Sequence, residues 1–335
     1  MSTKSHDHDN VCTNPLNKMW DNRTFGPGFK RVFAKGQLTL GIGFPIEAYD
    51  GPVAELTHQI ARAKAAERGG FAMVWCRDIP VYDPSFGDLG QIYDPWVWLG
   101  YVAAQTSSIA LGTGSIILPL RAPVDIAKAA CSVDQLSEGR LVFGVASGDR
   151  PVEYSVFDKP FDERGDQFIH SFDIIRELSH RPTDWHNQQV AHTRQLNILP
   201  KSHSGDLPML VTGNSRQSVE WIAEKADGWL MYPRPLTAQQ FTVNQWQSSV
   251  QSHGYDWKPF AQSLYIDLTE NPDKEPTPIH LGFQLGRNPL IAHLNALQEL
   301  GVNHVLFNVK FSSRPVDDVL AELSEYVTPL FPPVE

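Results

Sequence analysis

The chain has 335 residues, 41% of them hydrophobic and 20% charged, the composition of a globular protein able to bury a sizeable core. Its 28 basic against 38 acidic side chains give a formal charge of −10, with no basic run to track a phosphate backbone, which excludes nucleic acid as a partner. No window supplies the ~18 apolar residues of a membrane span, the N-terminus lacks a leader-like apolar stretch, and Cys12, Cys76 and Cys131 form neither a disulfide framework nor a zinc spacing; a cytoplasmic protein with free thiols is expected.

The lead-in to about Gly36 is loosely patterned and reads as an N-terminal extension over 1–37, partly disordered, ahead of one domain over 38–335. His6, Asp7 and His8 fall in this polar tail, which reads as solvated; no metal site is assigned. Eight apolar runs then read as strands: Leu38 to Phe44, Phe71 to Trp75, Ile109 to Leu118, Arg140 to Ala146, Met209 to Thr212, Gly228 to Tyr232, Leu264 to Leu268 and His304 to Val309. Between them, helical spacing joins Val53, Leu56, Ile60 and Ala63, then Ile126, Ala130, Val133 and Leu136, and later Val219, Ile222, Ala223 and Ala226. Pro289 opens a further helix, and Pro315 opens the last, whose stripe runs through Val316, Val319, Leu320, Leu323, Tyr326, Val327 and Leu330.

Strands that are apolar throughout need cover on both faces, and alternation with helices implies parallel pairing. Eight such units most simply close as an α/β (β/α)8 TIM barrel. An open doubly wound sheet is the alternative, but "GIGFPI" after the first strand carries only two glycines of the dinucleotide fingerprint. Long connections predict insertions after strands 2 (Arg77 to Asp94), 4 (Gly148 to about Asp166) and 7 (Glu270 to Arg287, suited to a lid). A fourth, His180 to Leu207, contains "QQVAHTRQLNILP", which suits a small hairpin.

Barrels keep their chemistry at strand C-termini. In "SEGRLVFGVASGDR" a helix-to-strand turn with Gly139 as cap leads into the fourth strand, which ends in small polar residues that let a ligand approach the backbone. Gly112, Thr113, Gly114 and Ser115 interrupt the third strand, consistent with a bulge, with packing, or with something flat lying against it. In "LVTGNSRQSVEW", Asn214 or Ser215 caps the following helix, and the same N–H groups with the Ser215 and Ser218 hydroxyls suit a phosphate cradle. Arg77 and Asp78 follow the second strand, either as a strand-end ion pair or as catalytic groups that stabilise negative charge and move a proton. Phe44, Trp75, Trp229 and Tyr232 would line a water-excluding mouth, and Lys310 reads as solvated.

The series "DPWVWLGYVAAQTSSIALGTGSIILPLRAPVDIAKAACSVDQLSEGRLVFGVASGD", followed by "GNSRQSVEWIAEKADGW", resembles the bacterial luciferase-like flavin monooxygenases over about Leu38 to Leu330. "WCRDIPVYDPSFGDLGQIYDPW", "ASGDRPVE" and "LGRNPL" resemble one subgroup of them. The resemblance implies FMN as cofactor, a non-proline cis peptide at Gly114-Ser115 beneath the flavin ring, and cofactor contacts from Thr113, Gly114, Ser115, Ser147, Gly213, Asn214, Ser215 and Ser218. It further implies the monooxygenase component of a two-component system, taking reduced FMN from a separate flavin reductase and acting with O2 on a small organic substrate. A deazaflavin-dependent hydride transfer on the same fold, or a non-catalytic flavin-binding protein, are the alternatives. Two departures stand out. Where luciferase carries a phosphate-binding arginine this chain has Ser147, with Arg150 three residues on, and its glutamate-histidine-histidine run after the second strand is replaced by Trp75-Cys76-Arg77-Asp78, so luciferase chemistry is not expected. The segment "DPWVWLGYVAAQ", apolar nearly all round, predicts a homodimer through the second and third helices.

Overall fold

The structure, a computed structural model, describes residues 23–83, 85, 93–180 and 197–335. Eight parallel strands close into a (β/α)8 barrel: β1 (Thr39–Gly43), β2 (Met73–Cys76), β3 (Ala110–Thr113), β5 (Leu141–Ala146), β6 (Met209–Thr212), β7 (Gly228–Met231), β8 (Phe260–Leu268) and β11 (His304–Asn308). Pairing of β11 with both β1 and β8 completes the ring. The third strand is broken at the cis peptide Gly114–Ser115 and resumes as β4 (Ile116–Ile117) against β5. After the seventh barrel strand, β9 (Thr277–Ile279) and β10 (Gly282–Leu285) form a hairpin whose second arm pairs with the end of β8. The "QQVAHTRQ" part of the hairpin expected after His180 lies outside the described residues, as do His6, Asp7, His8 and Cys12.

The helices follow the sequence pattern with local exceptions. Those between strands are α2 (Gln59–Arg68), α3 (Pro95–Gln105), α4 (Pro123–Leu136), α5 (Pro151–Val156), α6 (Arg164–Ser179), α7 (Val219–Lys225), α8 (Leu236–Ser252) and α9 (Arg287–Leu300). Val53 and Leu56 do not join α2: Val53 is exposed, and Leu56 and His58 take left-handed backbone, so the helix starts at Gln59. Leu136 ends α4 facing solvent, because its buried face runs through Ile126, Ala127, Ala130 and Val133. The last helix, α10 (Val316–Glu322), widens into a π turn over Leu323–Val327, which rotates the stripe and leaves Tyr326 and Leu330 outside.

A short first helix, α1 (Pro27–Val32), closes the bottom of the barrel. Phe25, Phe29, Val32 and Phe33 pack there against Met73, Trp75, Val142, Leu210 and Ala261. Gly26 and Gly28 press directly on the Gly139–Arg140 backbone, and the Gly28 N–H donates to the Gly139 carbonyl at 3.1 Å. The buried Asp227 carboxylate ties the same end together, accepting from Arg23 and Arg176 at 2.6 Å each and from the Met209 N–H at 2.8 Å.

Inside the barrel, His304 is fully buried between two partners. Its Nε2 accepts from the Trp75 indole N–H at 2.9 Å, which leaves the ring proton on Nδ1, 2.8 Å from Thr39 Oγ1; that hydroxyl donates to the Val32 carbonyl. Two glycines make this possible. A Cβ at Gly112 would lie 2.7 Å from the Trp75 ring and 2.1 Å from Met73 Cε, and one at Gly41 would lie 2.5 Å from His304 Nε2. The flat object lying against Gly112 is therefore the protein's own indole.

Gly112→Ala is expected to lower stability by about 1–3 kcal/mol through overpacking, read from urea denaturation. Burial holds the His304 imidazole down at about 3, so the unfolded chain binds the extra proton as pH falls below the ordinary histidine value of 6.5. Stability carried by neutral His304 is then lost from about pH 6.5 downward, at up to about 1.4 kcal/mol per pH unit. In parallel denaturation series, the stability gap between the wild type and His304→Gln is expected to narrow as pH drops from 7 to 4.

Candidate active site

The C-terminal ends of the strands surround a cavity of about 1080 Å3, counting its opening to solvent. Trp75, Gly114, Leu230 and Leu306 form an apolar part of its lining. The Gly114 peptide is bare there, and a Cβ on it would point between Trp75, Leu230 and Leu306 at 3.3–3.9 Å. Phe44, Ile117, Tyr232 and Tyr265 add apolar wall, while Ser115, Thr212, Ser263 and Asn308 supply neutral polar groups. Trp229 is not part of it: strand alternation turns Leu230 inward and sends Trp229 outward against Trp246 and Phe260, with its N–H on the Gly213 carbonyl at 2.7 Å.

The candidate residues from the sequence divide into three groups. Arg77, Asp78, Gly114 and Ser115 line the cavity. Ser147 and Ser215 meet beside it: the Ser147 N–H donates to Ser215 Oγ at 3.2 Å, and that hydroxyl donates to the Thr212 carbonyl at 2.9 Å. Thr212 in turn shares a short hydroxyl–hydroxyl hydrogen bond with Ser115, so one chain of polar contacts runs from the cis peptide to the end of β5. Gly213 shapes the turn with a φ of 56°. Thr113 points away, donating to the Gly144 carbonyl at 2.7 Å. Asn214 and Ser218 lie exposed on the outer side, where Ser218 caps α7 through the Trp221 N–H.

Asp78 is saturated. Arg121 approaches it in a fork at 2.6 and 2.7 Å, and the Ile117 N–H donates to the same carboxylate at 3.0 Å. The ion pair thereby clamps the loop after β2 to the strand segment just beyond the cis peptide, and leaves Asp78 poorly placed to move a proton. Lys310 is buried rather than solvated; its ammonium sits over the Tyr49 ring, 4.8 Å from the centroid, because the chain turns back over the rim after β11.

Glu153, not singled out in the sequence, is the unusual acid of the cavity. It sits in the first turn of α5, 1% exposed, with Oε1 3.3 Å from Arg150 Nη1. Its Oε2 is buried without a hydrogen-bond partner. Burial pushes the carboxyl up to about 7; Arg150 and Arg121 oppose this, while Asp78 and Asp149 add to it. In sequence, an acid following Arg-Pro at a helix start reads as a surface residue favoured by the helix dipole, which hid it. Thr212, the link between Ser115 and Ser215, was hidden as an ordinary β-branched strand residue. Among the described residues no group of three or more His, Cys, Asp or Glu side chains is placed to hold a metal, and no helix is long and apolar enough to cross a membrane.

Residues 39–273 match the family model of luciferase-like monooxygenases. The chain belongs to this family. Among its luciferase-like relatives and neighbours, an uncharacterised protein of Mycobacterium tuberculosis is 29% identical over 280 residues, spanning 78% of this chain and 89% of that one. An F420-dependent hydroxymycolic acid dehydrogenase of the same species is 29% identical over 241 residues, 64% of each chain. Two solved structures share the fold. The monooxygenase RslO1 from Streptomyces bottropensis superposes with a TM-score of 0.70 at 18% identity, covering 88% of this chain and 99% of that one. The oxygenating constituent of 3,6-diketocamphane monooxygenase from Pseudomonas putida, in complex with FMN, gives 0.66 at 15% identity, covering 88% and 98%.

If Asp78 is a clamp, Asp78→Asn removes one partner of a buried pair and is expected to cost about 3 kcal/mol of stability. Urea denaturation checks this: a variant of undiminished stability that has lost only turnover would return Asp78 to the catalytic group.

Proposed function

We propose that this protein is an FMN-dependent oxidoreductase, the monooxygenase component of a two-component system that receives reduced FMN from a separate reductase and acts with O2 on a small organic substrate. The observation that carries this reading is the cavity floor: a bare peptide at Gly114–Ser115, flanked by Trp75, Leu230 and Leu306, suits the face of a planar tricyclic ring. Beside it, Ser147, Ser215 and the Arg150 guanidinium suit an anionic tail. Family membership and the FMN-bound structural neighbour support the same reading.

When bound, reduced flavin would supply the electrons that let one oxygen atom pass to substrate and the other leave as water. The chain's own residues do the rest. Trp75, Phe44, Leu230 and Leu306 exclude water from the reacting face, and Arg77, half-buried at the mouth, holds an anionic group of the substrate or developing charge on oxygen. Asp78 acts indirectly, keeping Arg121 and Ile117 in place behind the cis peptide. The dinucleotide fingerprint is absent from the first βα turn, which motivates a partner reductase. Val97 and Tyr101, exposed on one side of α3, support a homodimer through that helix.

The relative that uses F420 favours a second reading, hydride transfer with a deazaflavin on the same floor. The two separate cleanly. Rapid mixing of the anaerobic protein with reduced FMN against oxygenated buffer is expected to show an absorbance transient before oxidised flavin appears, and NAD(P)H alone is expected to support no substrate turnover. Binding of reduced F420 but not FMN, with oxidation of substrate in the absence of oxygen, would establish the second reading. Flavin binding without turnover in either format would leave a flavin-binding protein.

A further inference from the structure

The pair Arg150–Glu153 carries an inference that rests on the flavin reading and goes beyond it. Both side chains line the cavity at its Ser147 end, and both are buried. Arg150 is the buried arginine of the cavity lining three residues from Ser147, Arg216 beside Ser215 being exposed, and at 3.3 Å it is already shared with Glu153 Oε1. An anion that takes hold of Arg150 therefore arrives within a few ångströms of a second negative charge, in a place that water does not screen. The other charged groups around Glu153 do not relieve this. Asp78 and Asp149 are acids, Arg121 is committed to Asp78 through both terminal nitrogens, and Asp83 also lies in the field of Arg150. Two carboxyl or phosphoryl anions on one buried guanidinium relax by protonating the weaker acid.

The unpartnered Oε2 is where that proton goes. Oε1 faces the guanidinium, so a neutral Glu153 carries its hydrogen on Oε2, the one oxygen with no donor to satisfy it. There the group changes from a repelling acceptor into a hydrogen-bond donor, which is what a phosphate oxygen requires. We propose that Glu153 is a further ligand-binding residue of this cavity, meeting the phosphate of the cofactor as a neutral carboxylic acid, so that binding of the phosphorylated flavin takes up a proton.

Burial already places the Glu153 carboxyl at about 7 in the unliganded protein, so the linkage falls in an accessible range. The neutral fraction is about 0.9 at pH 6 and about 0.03 at pH 8.5, and affinity that follows it weakens roughly thirty-fold between them. The sign is fixed: the bound state holds more protons, so affinity falls as pH rises through about 7.

The test is anaerobic titration calorimetry of the full-length protein with reduced FMN and with reduced riboflavin, at pH 6 to 8.5 and in buffers of different ionisation enthalpy. Riboflavin has the same ring without the phosphate, so it subtracts any titration of the ring. Expected are proton uptake with FMN and not with riboflavin, and an FMN affinity that falls about thirty-fold over this range in the wild type. Glu153→Gln, which is neutral at every pH and keeps its donor, is expected to bind FMN within about threefold of its pH 6 affinity throughout, and so more tightly than the wild type at pH 8.5. Equal pH dependence in the two proteins, or proton uptake with riboflavin as well, would overturn the proposal while leaving the flavin reading in place. If neither flavin binds to the wild type, both fall together. Should Glu153→Gln fail to fold, Glu153→Ala takes its place, and the wild-type proton count is read at pH 7.5–8.5, above the second phosphate ionisation at about 6.

Discussion

The hydrogen bond from the Trp75 indole to His304 is the constraint on which the interior depends. A barrel of eight strands has an interior just wide enough to be filled by side chains, and here an indole fills the layer beneath the mouth. The indole is held because its N–H has one acceptor, and that acceptor is fixed because the other imidazole nitrogen is tied through Thr39 to the carbonyl at the end of α1. Strands β1, β2 and β11 are thus joined to the helix that plugs the bottom. Glycine at 41 and 112 is the steric counterpart: with side chains there, neither ring could occupy its plane. The consequence at the functional end is that Trp75 is held beside the Gly114–Ser115 peptide in the cavity floor.

Above that floor the polar groups fall into two sets with different duties. The ion pair of Asp78 and Arg121, and the hydrogen bonds that link the Ser115 and Thr212 hydroxyls and join Ser215 Oγ to the Thr212 carbonyl and the Ser147 N–H, connect neighbouring strand ends. They bind loops to one another and hold the backbone beyond the cis peptide. Arg77 and the Arg150–Glu153 pair add charged groups to a cavity lining that Asp78, Ser115 and Thr212 share.

Much of the barrel was legible in the sequence because its signals are local: apolar runs of strand length, helix-opening prolines and the capping Gly139 belong to single elements. Strand orientation was less so. The run Gly228 to Tyr232 does not say which of Trp229 and Leu230 faces inward, since both faces of a covered parallel strand are apolar; the register with β6 and β8 decides it. Helix starts failed where backbone overrides pattern, as at Leu56 and His58, whose left-handed conformation ends a spacing that looks helical. At the site, Arg77, Ser115 and Ser147 were accessible because they end strands. Lys310 and Glu153 were misjudged or missed because burial of a charged side chain is a property of what packs around it in the fold, as at Lys310 beside the Tyr49 ring.

Buried charge itself gives a way of telling scaffold from site in this molecule. Lys258 is fully buried, and burial brings its ammonium down to about 7, yet the Ala223 and Ala226 carbonyls accept from it at 2.7 and 2.8 Å and it rests on the Tyr255 ring. Asp227 is equally deep and takes two guanidinium groups and an N–H. His304 is neutral and satisfied at both nitrogens. In each case the fold has answered the desolvation of the group with partners of its own, as stability demands. Glu153 Oε2 is the only buried carboxylate oxygen without a hydrogen bond among the described residues. Leaving such an atom unsatisfied costs about 1–3 kcal/mol, a substantial share of the margin by which a domain is stable. A packing role would be served better by glutamine or leucine at that position. An acid kept there at such a cost makes sense where its missing partner is brought in by what enters the cavity.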